Sequence, residues 1–131
     1  MNKFESEFKT CYVGDEIQLN CIVKTKGNQI ALAQGTIDSK KPKGERICTI
    51  SIIHFYGNTP VITRVHMLND ILIPAFEREV KELGVVEIRG RTGTRMANYL
   101  ARAHRFIPQT PIPKRLPKGE GLKISMRKRI H

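Results

Sequence analysis

The chain has 131 residues, 40% of them hydrophobic and 27% charged, which suits one domain with its own core and excludes disorder throughout. No run approaches the roughly 20 apolar residues of a membrane helix. The start MNKFESEFKT has no signal-like apolar stretch. Three scattered cysteines, Cys11, Cys21 and Cys48, make neither a disulfide framework nor a CxxC pair, so a reducing cytoplasm is the expected setting. The net charge of +11 is one-sided: residues 1–88 balance 11 basic against 11 acidic side chains, while residues 89–131 carry 12 basic ones against Glu120 alone.

In chain order, residues 1–13 read as a lead-in. Ile17, Leu19, Cys21 and Val23 then alternate with polar residues as a strand would, and Lys26-Gly27-Asn28 marks a turn. Gln29 to Ile37 reads as a second strand, and Gly35 inside it marks a bulge or tight bend. A polar loop from Asp38 to Arg46 leads into the strongest strand, Ile47 to Tyr56. Val61 to Met67 alternates and reads as a further short strand. Pro74, then Phe76, Val80 and Leu83 at helical spacing, and the capping Gly84 predict one helix. Val85 to Arg91 returns to strand, and Asn98 to Ile107 reads as the last strand. From residue 108 four prolines, two glycines and seven basic residues predict a flexible, disordered basic tail.

Five main strands with one helix between the third and fourth is the order of an all-β OB-fold barrel. The expected organisation is a lead-in over 1–13, a barrel over 14–107 and a tail over 108–131. A one-sided basic block beside such a barrel points to a polyanion, because neutralised phosphates release condensed counterions. Binding single strands needs cations for phosphate and exposed rings for bases. The candidate cations are Lys24, Lys40, Lys41, Lys43, Arg46, Arg64, Arg89, Arg91, Arg95 and Arg102, and the candidate rings are Tyr56 and Tyr99. Arg89 and Arg91 share one strand face, and Arg102 is expected on the neighbouring strand; guanidinium groups so placed repel one another unless an anion lies between them.

The segment Gly84-Val85-Val86-Glu87-Ile88-Arg89-Gly90-Arg91 resembles the fourth strand of bacterial single-stranded DNA-binding proteins, and Ile52 to Asn58 is similar to their third. The chain departs from that family in having no Trp and in ending on a basic rather than an acidic tail. The resemblance implies a divergent, phage-type relative that binds single-stranded DNA with little sequence preference in replication, recombination or repair, and that pairs with itself as a dimer or tetramer. An RNA-binding OB-fold and a protein-interaction module whose tail binds an acidic partner are the alternatives. GxSxG, HExxH and GxxxxGK[ST] are missing from the sequence, so no enzyme, metal or cofactor is expected.

Overall fold

A computed structural model describes residues 4–92, 94–109 and 124–130. Its strands are β1 (Glu5–Val13), β2 (Glu16–Thr25), β3 (Asn28–Asp38), β4 (Arg46–Phe55), β5 (Val85–Thr92), β6 (Ile107–Pro108) and β7 (Ile124–Arg129). Helices α1 (Val61–Met67) and α2 (Ile73–Glu82) are joined by a π-helical turn over Leu68–Leu72, and α3 (Thr94–Ala103) follows β5. The strands form one sheet in the order β1-β2-β3-β4-β5-β7-β6. Only β4 and β5 run parallel; every other pair is antiparallel. The sheet is open, since β1 and β6 stand at opposite edges, and this overturns the five-stranded OB barrel.

Each departure from the sequence reading has a local cause. Glu5–Val13 carries charge at alternate positions and is exposed along nearly its whole length, which reads as lead-in but serves here as an edge strand. Phe8 alone turns inward, its ring 5.2 Å from Phe76. Val61–Met67 is rich in β-branched residues, yet it begins a helical run on which Met67, Leu68, Leu72, Ile73, Phe76 and Val80 all reach the core. Burial of that one stripe outweighs local strand propensity. The expected last strand at Asn98–Ile107 is mostly α3, with Leu100 buried beneath it. The expected tail holds β7, whose Ile124 and Met126 are buried; residues 110–123 lie outside the described residues.

Among the described residues the core lies on one side of the sheet. Ile17, Leu19, Cys21 and Val23 of β2, Ala31, Ala33 and Ile37 of β3, and Cys48 and Ile88 face the helices. Small residues along β3 let α2 come close. A Cβ on Gly35 would stand 3.1 Å from Cys48 Sγ and from Phe76 Cε1. Glycine is favoured there by proximity, not by its backbone angles. At the end of α2, Gly84 turns the chain at φ +75°, and a Cβ there would meet the Lys43 backbone at 2.8 Å. The opposite face of the sheet has no helix on it among the described residues. There Gln34 Nε2 donates to Asn20 Oδ1 at 2.6 Å, and Thr36, Thr49, Arg89 and Arg127 form one cross-strand row.

Candidate functional site

The site begins with the bulge that Gly35 marks. Gly35 pairs with Ile50 and Gln34 with Ile52, so Ser51 is an extra residue in β4. Such an insertion bends its strand and disrupts pairing locally. Pairing of β4 with β5 accordingly stops at Ile50 and Gly90. Beyond that point β4 stays with β3 as far as Phe55, while β5 stays with β7 as far as Thr92. Two parallel strands thus part at their C-terminal ends. Their facing edges, 51–55 and 91–92, have no strand partner among the described residues.

The gap is a cleft of about 320 Å³. Ile50, Ile53, Ile73, Leu100, Phe106 and Met126 make its helix-side floor, and Ser51, Arg89, Arg91 and Thr92 line it as well. One wall is apolar and can take methylenes. The other carries hydroxyls and guanidinium groups and opens on the uncovered sheet face. No carboxylate, imidazole or thiol is among these lining side chains. Cys48 is buried on the helix side, and burial pushes its thiol up to about 12; Cys21 is likewise raised, to about 11. Neither thiol is a nucleophile at neutral pH.

The expected binding residues divide sharply. Arg89 and Arg91 line the cleft, with Arg89 bonded to Glu87, an acid that is only 7% exposed. Arg46 has a structural role: its guanidinium donates to the carbonyls of Lys41 (2.9 Å), Leu83 (3.0 Å) and Ser39 (3.4 Å), tying the 39–45 loop to the end of α2. Lys40 pairs with Asp15 at 3.4 Å and Lys24 with Glu7 at 3.6 Å, while Lys41 borders a further cavity that Asp15, Glu16, Asp38 and Arg89 also line. Lys43 stands against Gly84. Arg64 donates to the Thr59 carbonyl and lies over the Phe55 ring, 5.7 Å from its centroid. Tyr56 is partly exposed and accepts a hydrogen bond from Gln29. Tyr99 and Arg102 sit on α3, not on a strand beside Arg89. Burial raises the Tyr99 phenol, with Asn69 opposing and Asp70 adding to the effect. Arg95 also belongs to α3, its side chain outside the described residues.

Two cations expected only in a flexible tail stand on the sheet instead. Arg127 stands directly across from Arg89, and Arg129 directly across from Glu87. Their alternation with Ile124, Met126 and Lys128 is a six-residue strand signal, hidden by the Pro- and Gly-rich stretch before it. No group of His, Cys, Asp and Glu able to hold a metal occurs among the described residues. No helix among them is long and apolar enough to cross a membrane.

No protein-family model and no curated protein matches the sequence. Solved structures do match the fold. A candidate acyl-CoA N-acyltransferase from Klebsiella pneumoniae subsp. pneumoniae MGH 78578 aligns with TM-score 0.59 and 14% identity over 87% of this chain and 73% of its own. A candidate acetyltransferase of the GNAT family from Desulfovibrio desulfuricans aligns with TM-score 0.62 and 12% identity over 87% and 69%. An acetyltransferase of the GNAT family from Streptococcus pneumoniae aligns with TM-score 0.55 and 19% identity over 86% and 67%. At these identities the likeness is one of fold. It removes the barrel on which the resemblance to single-stranded DNA-binding proteins rested. The DNA-binding reading, its RNA and protein-interaction alternatives, the pairing of barrels and the non-catalytic assignment lose their basis with it.

Proposed function

We propose that the chain transfers an acyl group from an acyl-CoA thioester to an amine, in the cleft where β4 and β5 part. The observation that carries this reading is the Ser51 bulge, which leaves two parallel strands splayed on an apolar floor. The pantetheine arm of coenzyme A is an extended chain with two amides. Such a chain can lie between unpaired strand edges and hydrogen-bond to both, as an added peptide strand does. Its thioester carbonyl, held against a fixed backbone N–H, develops negative charge that the dipole is already aimed to receive.

Direct transfer fits the side chains present. The amine nitrogen attacks the thioester carbonyl carbon, the C–S bond breaks, and coenzyme A leaves as its thiol while nitrogen gives up a proton. A covalent acyl-cysteine route has no thiol in the cleft lining. Arg89 and Arg91 disfavour an ammonium nearby, so they favour the neutral amine that can attack. Solvent on the uncovered face takes the proton from nitrogen and returns one to the departing thiolate, so that coenzyme A leaves as its thiol.

Calorimetric titration with acetyl-CoA tests the reading. The intact chain is expected to bind it, and deletion of Ser51, which restores the β3–β4 register, is expected to weaken binding at least tenfold. Gly90→Leu, which adds bulk beside Ile50 at the mouth of the gap, keeps the test decisive should the deletion variant not fold. Unchanged affinity in a folded Gly90→Leu variant, or no binding by the intact chain, would overturn the proposal.

A further inference from the structure

Four guanidinium groups crowd one patch of the uncovered face beside the cleft. Arg89 and Arg91 alternate along β5, Arg127 and Arg129 along β7, and Arg89 stands directly opposite Arg127. All four are exposed. Like charges directly opposed across strands destabilise a sheet; Glu87 lies among them, opposite Arg129 and bonded to Arg89, and Arg89 also borders the cavity that Asp15, Glu16 and Asp38 line. Among the described residues, Arg91, Arg127 and Arg129 have no hydrogen-bonding or ion-pair partner for their side chains. The patch runs from the cleft, which Arg89 and Arg91 line, to a second cavity of about 380 Å³ that Arg105 and Arg129 border together with Lys128, itself paired with Glu77. Arg105 is held there at φ +59°, a conformation a non-glycine residue seldom adopts. A basic ladder with one end in the cleft and the other in a basic cavity is built for an anion that spans the two.

Resting on the acyl-transfer reading, we infer that this ladder binds a phosphate group on the acyl acceptor, so that the substrate is a phosphorylated amine. Arginine forks match phosphate oxygens two at a time. From the level of Arg129 to Gly90 is three residues of strand, which places the amine roughly 7–10 Å from the phosphate at about 3.3 Å per residue. The phosphate cancels the repulsion along the ladder, and the guanidinium groups nearest the cleft keep the amine neutral.

The test is a titration of the full chain with inorganic pyrophosphate at fixed ionic strength, with and without saturating acetyl-CoA. The intact chain is expected to bind pyrophosphate equally well in both conditions. The double variant Arg127→Gln/Arg129→Gln is expected to lose at least tenfold in pyrophosphate affinity while binding acetyl-CoA within twofold of the parent. Arg127→Lys/Arg129→Lys, which keeps the charge but not the forks, should fall between. Both residues are exposed, so a melting temperature no lower than the parent's shows that the fold persists. Unchanged pyrophosphate affinity in the Gln variant would overturn the site. Displacement of pyrophosphate by acetyl-CoA would overturn the acceptor role, since the ladder would then hold the donor's phosphates. Pyrophosphate binding lost in the Gln variant, without acetyl-CoA binding by the intact chain, would confirm the anion site and overturn both acyl transfer and the acceptor role.

Discussion

Gly35→Ala tests whether helix–sheet proximity at the bulge holds the fold together. The added methyl would meet Cys48 Sγ and Phe76 Cε1 at 3.1 Å and the Thr49 carbonyl oxygen at 3.3 Å. None of these can yield easily: Cys48 is 0% and Phe76 2% exposed, and the third is backbone. Overpacking of this kind costs about 1–3 kcal/mol. Gly-to-Ala entropy in the unfolded chain returns roughly 0.4–1 kcal/mol where no clash interferes. The net expectation is a loss of about 1–2 kcal/mol, or a melting temperature lower by roughly 3–8 °C for a chain of this length. Urea denaturation of Gly35→Ala, Cys48→Ala and the double variant provides the assay. Removing Sγ opens space on one side of the new methyl, so the double variant should be more stable than the sum of the single losses implies, with a coupling of about 0.5–1 kcal/mol. A Gly35→Ala protein as stable as the parent would refute the reasoning.

Arg46→Gln removes the charged donors from three loop carbonyls and should cost about 1–3 kcal/mol in urea denaturation with little change in m-value. Brief iodoacetamide treatment of the native protein near pH 8 should modify the exposed Cys11 alone, because Cys21 and Cys48 are buried with raised pKa values, and intact mass should show three adducts after unfolding. His104 has its pKa lowered by burial and by Lys128, against an opposing effect of Glu77. The unfolded chain therefore takes up that proton first as pH falls. Stability that is full above about 6.5 should decline below it, and His104→Gln should flatten the decline in melting temperature measured between pH 7.5 and pH 5.

Much of the sheet was legible in the sequence because β2 and β3 bury alternate residues on one face and β4 and β5 are rich in β-branched residues. Gly35 was legible too, as a bulge, although it serves an open sheet and not a barrel corner. The failures share one cause: the two segments read as strands at 61–67 and 98–107 are short and rich in residues that suit either structure. Only the long-range stripe from Met67 to Val80 shows that the first belongs to a helix. For the second, the buried Leu100 and Phe106 take their places from a sheet assembled out of distant strands. β1 and β7 failed oppositely, since each carries charge on its solvent face and neighbours the kind of sequence expected of a terminus.

The basic excess was read as the footprint of a polyanion along a barrel, and the open sheet removes that scaffold. On a barrel, Arg89, Arg91 and Arg102 would have shared a groove; on this sheet Arg102 departs on α3 and Arg127 and Arg129 take up positions beside the other two. The same strand, β5, thus borders the parted edge at Gly90–Thr92 and carries half of the ladder. Cleft and charge cannot be separated by a substitution in β5, because changing Arg89 or Arg91 perturbs both. They can be separated on β7, where Arg127 and Arg129 touch the anion patch without lining the cleft. That geometric division lets the proposed donor binding and acceptor binding be tested independently, with substitutions on β7, the strand that follows residues 110–123 in the sequence.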